Sequence, residues 1–202
     1  MEESGRLEPG DCDVVPIGTW RDECLFLYAE RVARRGETAA GFAACEGTRF
    51  GRECTYHLIR EGARAALTLD LPAAAVRAGS YTGLRLAPDA ERLFWKSWFH
   101  ERMRGDQPVD PTECPTAACV DGARETVIFA LNGMARANRS GFCAGPPPNG
   151  TVGGRVLWRD TAHTQAWVRE FTLGECQGRA AGRPGPPPTG PAGGPAPGLP
   201  PG

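Results

Sequence analysis

Lysine is almost absent from this sequence. Lys96 is the only one in 202 residues, so arginine carries nearly all of the positive charge. Planar guanidinium groups suit forked contacts with carboxylates. The formal net charge of −1 gives no basis for binding nucleic acid or an anionic membrane. Histidine is scarce as well: His57, His100 and His163 lie on separate segments. No GxSxG, HExxH or phosphate-binding glycine loop occurs, and a hydrolase needs a nucleophile, a base and an orienting acid brought together. The expectation is therefore a protein that is not an enzyme and takes no cofactor. CxxC and HxxxH pairs are missing too. Zinc sites usually show such close pairs, so no metal is expected. No run reaches the roughly 18 apolar residues of a membrane span. A basic and apolar leader is also lacking, because residues 1–10 are acidic and polar. The expectation is a secreted chain whose leader lies outside these residues.

Cysteine, by contrast, is plentiful. Cys12, Cys24, Cys45, Cys54, Cys114, Cys119, Cys143 and Cys176 make an even set of eight. Without zinc-like spacing, a disulfide framework and an oxidising compartment are the better reading. Eight cysteines allow 105 pairings, so spacing alone leaves the connectivity open. Two sequons agree with an extracellular location, Asn138-Arg-Ser140 and Asn149-Gly-Thr151. Both fall in stretches that read as loops, where glycans can be carried.

Composition divides the chain into a flexible N-terminus (1–11), a disulfide-bonded domain (12–176) and a Pro/Gly-rich tail or stalk (177–202). The tail has too little apolar bulk to offset chain entropy, and its prolines exclude both helix and sheet ladder. It lacks the strict period of collagen. The domain holds short apolar runs bounded by Gly, Pro and Asn. They are Cys24–Ala29, Thr55–Ile59, Ala66–Leu71, Tyr81–Leu86, Leu93–Phe99, Thr126–Leu131, Arg155–Trp158 and Trp167–Leu173. Alternation such as Leu67, Leu69, Leu71 predicts strands, and about eight of them at this spacing predict an antiparallel sandwich. Ala29–Arg35 and Pro88–Arg92 also suit short helices. Phe94, Trp95, Trp98 and Phe99 would share one helical face, but the segment from Leu84 to Phe99 is assigned to strand. Ala78-Gly-Ser-Tyr81, after an alternating run, matches the approach to an immunoglobulin-type tyrosine corner.

Trp20, then Cys24, then Cys45-x8-Cys54, then Ala78-Gly-Ser-Tyr81, resembles the Ig-like core of alphaherpesvirus envelope glycoproteins D and G, with G favoured by Tyr56–Gly62 and by the long interval before Cys143. The resemblance implies an all-β fold: a V-type immunoglobulin-like antiparallel β-sandwich with disulfide-rich extensions and a disordered tail. It implies that Cys45 pairs with Cys54 to close a small loop, against the alternative that each reaches a later cysteine across the sandwich. It further implies a secreted or virion-surface viral glycoprotein that binds host proteins, most of all chemokines, or alternatively an entry ligand for a host cell-surface receptor. Chemokines are basic, and Glu46, Glu53, Glu61, Asp70 and Asp89 are available to meet them, but the sequence does not cluster these carboxylates, so the ligand-binding residues stay unassigned.

Three further motifs have plain and sharp readings. Gly18-Thr-Trp20 matches the opening of lipocalins over three residues only; the plain reading makes Trp20 a core anchor beside Cys24. Arg104-Gly-Asp106 is an integrin-type triplet, or simply a charged turn. The aromatic cluster 94–99 is a binding patch or core. The plain reading is preferred for each.

Overall fold

The computed structural model describes residues 9–81 and 87–177. Among these residues there are eight α-helices and no sheet. The expected immunoglobulin-like sandwich is therefore overturned, and with it the Ig-like core that the resemblance implied. The helices are α1 (Thr19–Arg34), α2 (Thr38–Glu46), α3 (Gly51–Ala65), α4 (Leu71–Gly79), α5 (Ala87–Arg104), α6 (Ala117–Ala137), α7 (Arg139–Ala144) and α8 (Ala162–Gln177). Short 3-10 turns at Pro9–Cys12 and Pro111–Glu113 precede α1 and α6. The Tyr81–Leu86 run falls mostly on residues 82–86, outside the described residues, as does most of the tail.

The predicted strands fail for a common reason. A short apolar run looks the same on a strand and on a buried helix; only its longer context separates them. Cys24–Ala29, Thr55–Ile59, Leu93–Phe99, Thr126–Leu131 and Trp167–Leu173 all lie inside helices. In α6 the buried positions Cys119, Ala123, Val127, Leu131 and Ala135 recur every four residues, a helical period that spans the segment read as a strand. In Ala66–Leu71 the alternating leucines fall in a turn that leads to the α4 cap, where Asp70 accepts from the Ala73 amide at 2.9 Å. Arg155–Trp158 is irregular, with isolated bridges at its two ends.

α5 is the centre of the packing, lying between α3 and α6; α1 and α2 pack beyond α3, and α8 packs beyond α6. Its aromatic face is core: Phe94, Trp95, Trp98 and Phe99 are all buried. With Phe42 and Tyr81 they form a continuous chain of ring contacts, with centroids 5.1–5.7 Å apart. Three of the buried indoles donate to defined acceptors. Trp98 Nε1 donates to the Ala66 carbonyl at 3.3 Å, Trp95 Nε1 to Glu91 at 3.2 Å and Trp158 Nε1 to the Pro148 carbonyl at 2.6 Å. Tyr81 is buried but not in a tyrosine corner; it lies against α3, where any Cβ at Gly62 would overlap its hydroxyl. α5 and α6 meet at backbone distance across Gly122. A Cβ there would sit 2.7 Å from the Lys96 amide nitrogen and 2.9 Å from the Arg92 carbonyl oxygen.

All eight cysteines are bonded, paired consecutively along the chain: Cys12–Cys24, Cys45–Cys54, Cys114–Cys119 and Cys143–Cys176. Every bridge ties one element to the next, fixing corners rather than crossing the core.

Candidate functional site

Among the described residues the two most exposed large apolar side chains, Ile17 and Val14, lie in the loop before α1, and Trp20 follows on its first turn. Cys12–Cys24 closes a loop with Cα atoms 5.6 Å apart and a sequence separation of 12. On it Val14 is 86%, Ile17 90% and Trp20 75% exposed. Trp20 is one of five tryptophans, and the other four are buried. The reading of Trp20 as a core anchor is thus overturned. The reason is helical phase: α1 buries Tyr28, Ala29, Val32 and Ala33, and at 100° per residue Trp20 is turned about 80° from Tyr28 and about 120° from Val32. Leu27, seven residues on, shares its face and is 52% exposed.

The loop has a defined shape. Asp13 donates its amide to Gly10, Val15 to Cys12 and Asp22 to Gly18, at 3.1, 3.2 and 3.1 Å. Gly18 sits at φ 146°, ψ −161°, a region only glycine enters without strain. Arg21 forms an ion pair with Asp13 across the loop. From the α2–α3 connection, Arg49 Nε donates to the buried Asp22 carboxylate at 2.6 Å and its Nη2 to Thr19 at 3.1 Å. That guanidinium holds the Asp22 carboxyl below its ordinary range, against a smaller opposing effect of burial. Arg49 also stacks on the half-exposed Phe50 ring, 5.7 Å from its centroid.

A second cluster joins α1 to α3. Glu30, His57 and Glu61 bring potential ligand atoms within 4.8 Å of one another. His57 Nε2 lies 3.1 Å from Glu30. Guanidinium groups already occupy the carboxylates: Arg34 donates to Glu30 at 2.7 Å and to Glu61 at 3.4 Å, and Arg64 donates to Glu61 at 2.5 Å. Arg64 extends the network to Glu101 on α5 at 3.4 Å. Two guanidiniums thus meet the two carboxylates beside His57, and the cluster acts as a polar strut between helices.

The integrin-type triplet terminates α5. Asp106 has a left-handed φ of 62°, and its carboxylate pairs with Arg155. The Arg155 guanidinium also donates to the carbonyls of Met103 and Arg104 at 2.7 and 3.1 Å, capping the negative end of α5. The sequons lie in the other half of the molecule. Asn138 is exposed at the α6–α7 junction and accepts from the Gly141 amide at 3.0 Å. Asn149 is half-buried in the loop before α8, its side-chain oxygen bonded by the Thr151 hydroxyl at 2.6 Å. The carboxylates offered for a basic ligand do not converge: Glu61 is buried in the strut, Asp70 caps α4 and Asp89 pairs with Arg92 at 2.8 Å.

No family model matches the chain, and neither a curated protein nor a solved structure is found to match it. The exposed display at Trp20 was missed in the sequence because Trp followed by Cys reads as a core pair. The signal was the phase of Tyr28 and Val32, together with Gly18 in the turn that precedes α1.

Proposed function

We propose that this is an extracellular, non-catalytic binding protein whose contact element is the Cys12–Cys24 loop with the first turns of α1. Trp20 carries the reading: it is the one tryptophan left 75% exposed in a chain that buries its other four. A tryptophan offers 150–250 Å² of surface, so burying the exposed part against a partner would contribute on the order of 4 kcal/mol before ordering costs. Those costs are reduced here, because disulfide, ion pairs and backbone hydrogen bonds already hold the loop. Aromatic anchors of this kind dominate binding hot spots. Four disulfides and two sequons support an oxidising, extracellular setting. The chemokine and entry-receptor readings rested on the Ig-like core and are not carried forward.

The test is a binding screen of the secreted chain against an array of extracellular proteins, with each binder re-measured for Trp20→Ser and Ile17→Asp. Both variants should fold normally and lose at least tenfold in affinity. Binders indifferent to both changes would refute the reading.

A further inference from the structure

The four bridges differ in how well a free thiol can reach them. Exchange requires a thiolate to approach one sulfur in line with the S–S bond while the other sulfur departs as a thiolate. Departure is penalised where the surroundings are apolar. Cys45–Cys54 fails on both counts, its cysteines being 0% and 1% exposed. Cys24 and Cys114 are half-buried and can be reached, but their partners Cys12 and Cys119 are both 0% exposed and would depart into the core. Cys119 lies in the first turn of α6, which favours negative charge, yet desolvation of a buried thiolate outweighs that gain. Cys143–Cys176 is the remaining bridge. Cys143 is exposed and Cys176 half-buried, so neither cysteine is enclosed.

The surroundings of Cys176 add to this. It lies in the last turn of α8, where negative charge alone is disfavoured. The Arg139 guanidinium is seated on that helix end, its Nη2 donating to the Glu175 carbonyl at 2.7 Å, and a cation beside a thiol favours the thiolate. The Arg139 contact is also a tie between α7 and α8 that survives loss of the bridge. A second such tie is apolar: Phe142 is buried, and its ring meets Phe171 edge-on with centroids 5.8 Å apart. We infer that Cys143–Cys176 is a thiol–disulfide exchange site, at which a small monothiol attacks the Sγ of Cys143. A bond forms between the incoming sulfur and Cys143, the bond to Cys176 breaks, and its electron pair leaves on Cys176 as a thiolate beside Arg139. The product is a mixed disulfide at Cys143 on a chain that stays folded. A second equivalent of the thiol displaces the first as its symmetrical disulfide and leaves both cysteines reduced.

The experiment exposes the secreted full chain to glutathione at neutral pH without denaturant. Samples are quenched with an alkylating agent over time and mapped by peptide mass analysis. The first product should carry glutathione on Cys143 and the alkyl group on Cys176. It should form at least about tenfold faster than any change at the other cysteines, with the helical circular dichroism unaltered. Arg139→Gln removes the cation and should slow the reaction about threefold, whereas Arg139→Lys keeps it and should restore the rate. Opening first at another bridge would overturn the proposal. So would the opening of every bridge together with loss of helix, because exchange would then follow unfolding. Glutathione on Cys176 in place of Cys143 would reverse the direction of attack and overturn it as well. A chain that stays fully bonded until denatured would do the same, and equal rates for Arg139→Gln and Arg139→Lys would remove the basis for Cys176 as leaving group.

Discussion

Gly122 and Gly133 lie on the same helix and should respond oppositely to the same change. Gly122 faces α5, where a Cβ would meet backbone at 2.7–2.9 Å, and backbone cannot move aside as a flexible side chain can. Gly122→Ala should cost about 1–3 kcal/mol through overpacking. Gly133 is exposed with nothing within 4 Å of a Cβ, so Gly133→Ala should stabilise by up to about 1 kcal/mol through helix propensity. Chemical denaturation of the two variants checks the pair; similar shifts would refute the close approach of α5 and α6. His100 gives a second residue-level outcome. Burial disfavours its charged form, Glu101 opposes this and Arg104, Arg60 and Lys96 assist it, so its pKa lies below the ordinary 6.5. As pH falls through the ordinary value, the unfolded chain takes up a proton that the native state resists. The contribution of His100 is thus complete above that pH and declines below it. The melting temperature should fall between about pH 7.5 and about pH 5.5, and His100→Gln should flatten the slope. An unchanged slope would show that another group is responsible.

At the scale of elements, the disulfides differ in how much chain they close. Cys143–Cys176 joins α7 to α8 over a separation of 33, while Cys114–Cys119 spans only 5. In the chain-entropy account the long loop contributes about 4 kcal/mol and the short one about 2 kcal/mol. Paired Cys→Ser variants, compared by urea unfolding, should rank in that order; the reverse ranking would mean that local geometry at the start of α6 outweighs loop entropy. The same elements show what the sequence made legible. Eight cysteines with no zinc-like spacing read as a disulfide framework, and the aromatic cluster of 94–99 read as core. Helix type was hidden because the evidence for it lay beyond each short window: the four-residue recurrence from Cys119 to Ala135 is plain only over the whole of α6. Asp70 and Thr116 carried cap signals before α4 and α6, but alternating leucines at 67–71 outweighed the first. The contact loop was hidden for another reason. Exposure of Trp20 depends on the phase of α1, whose stretch Cys24–Ala29 reads as a strand in the sequence.

The molecule as a whole separates its two kinds of surface. The contact loop lies on α1, which packs with α2 and α3, whereas Asn138 and Asn149 lie beyond α5, on the stretch joining α6 to α8. Glycans on the latter would leave the α1 face open. Ile17 offers a way to test that separation with a single change. It is followed by Gly18 and Thr19, so Ile17→Asn completes a glycosylation sequon within the loop. Ile17 is 90% exposed and makes no part of the core, so the variant should fold, be secreted and melt as the parent does. It should also gain one glycan, visible as a mass shift reversed by an amidase. A glycan there would stand over Trp20 and Val14, so binding of any partner from the array should be abolished; the amidase leaves aspartate at position 17, so deglycosylation should restore binding only to the level of Ile17→Asp. Asn138→Gln and Asn149→Gln should leave the same binding within twofold. Should the glycan at position 17 leave binding intact while the loss of either natural sequon impairs it, the contact surface would lie in the α6–α8 half instead.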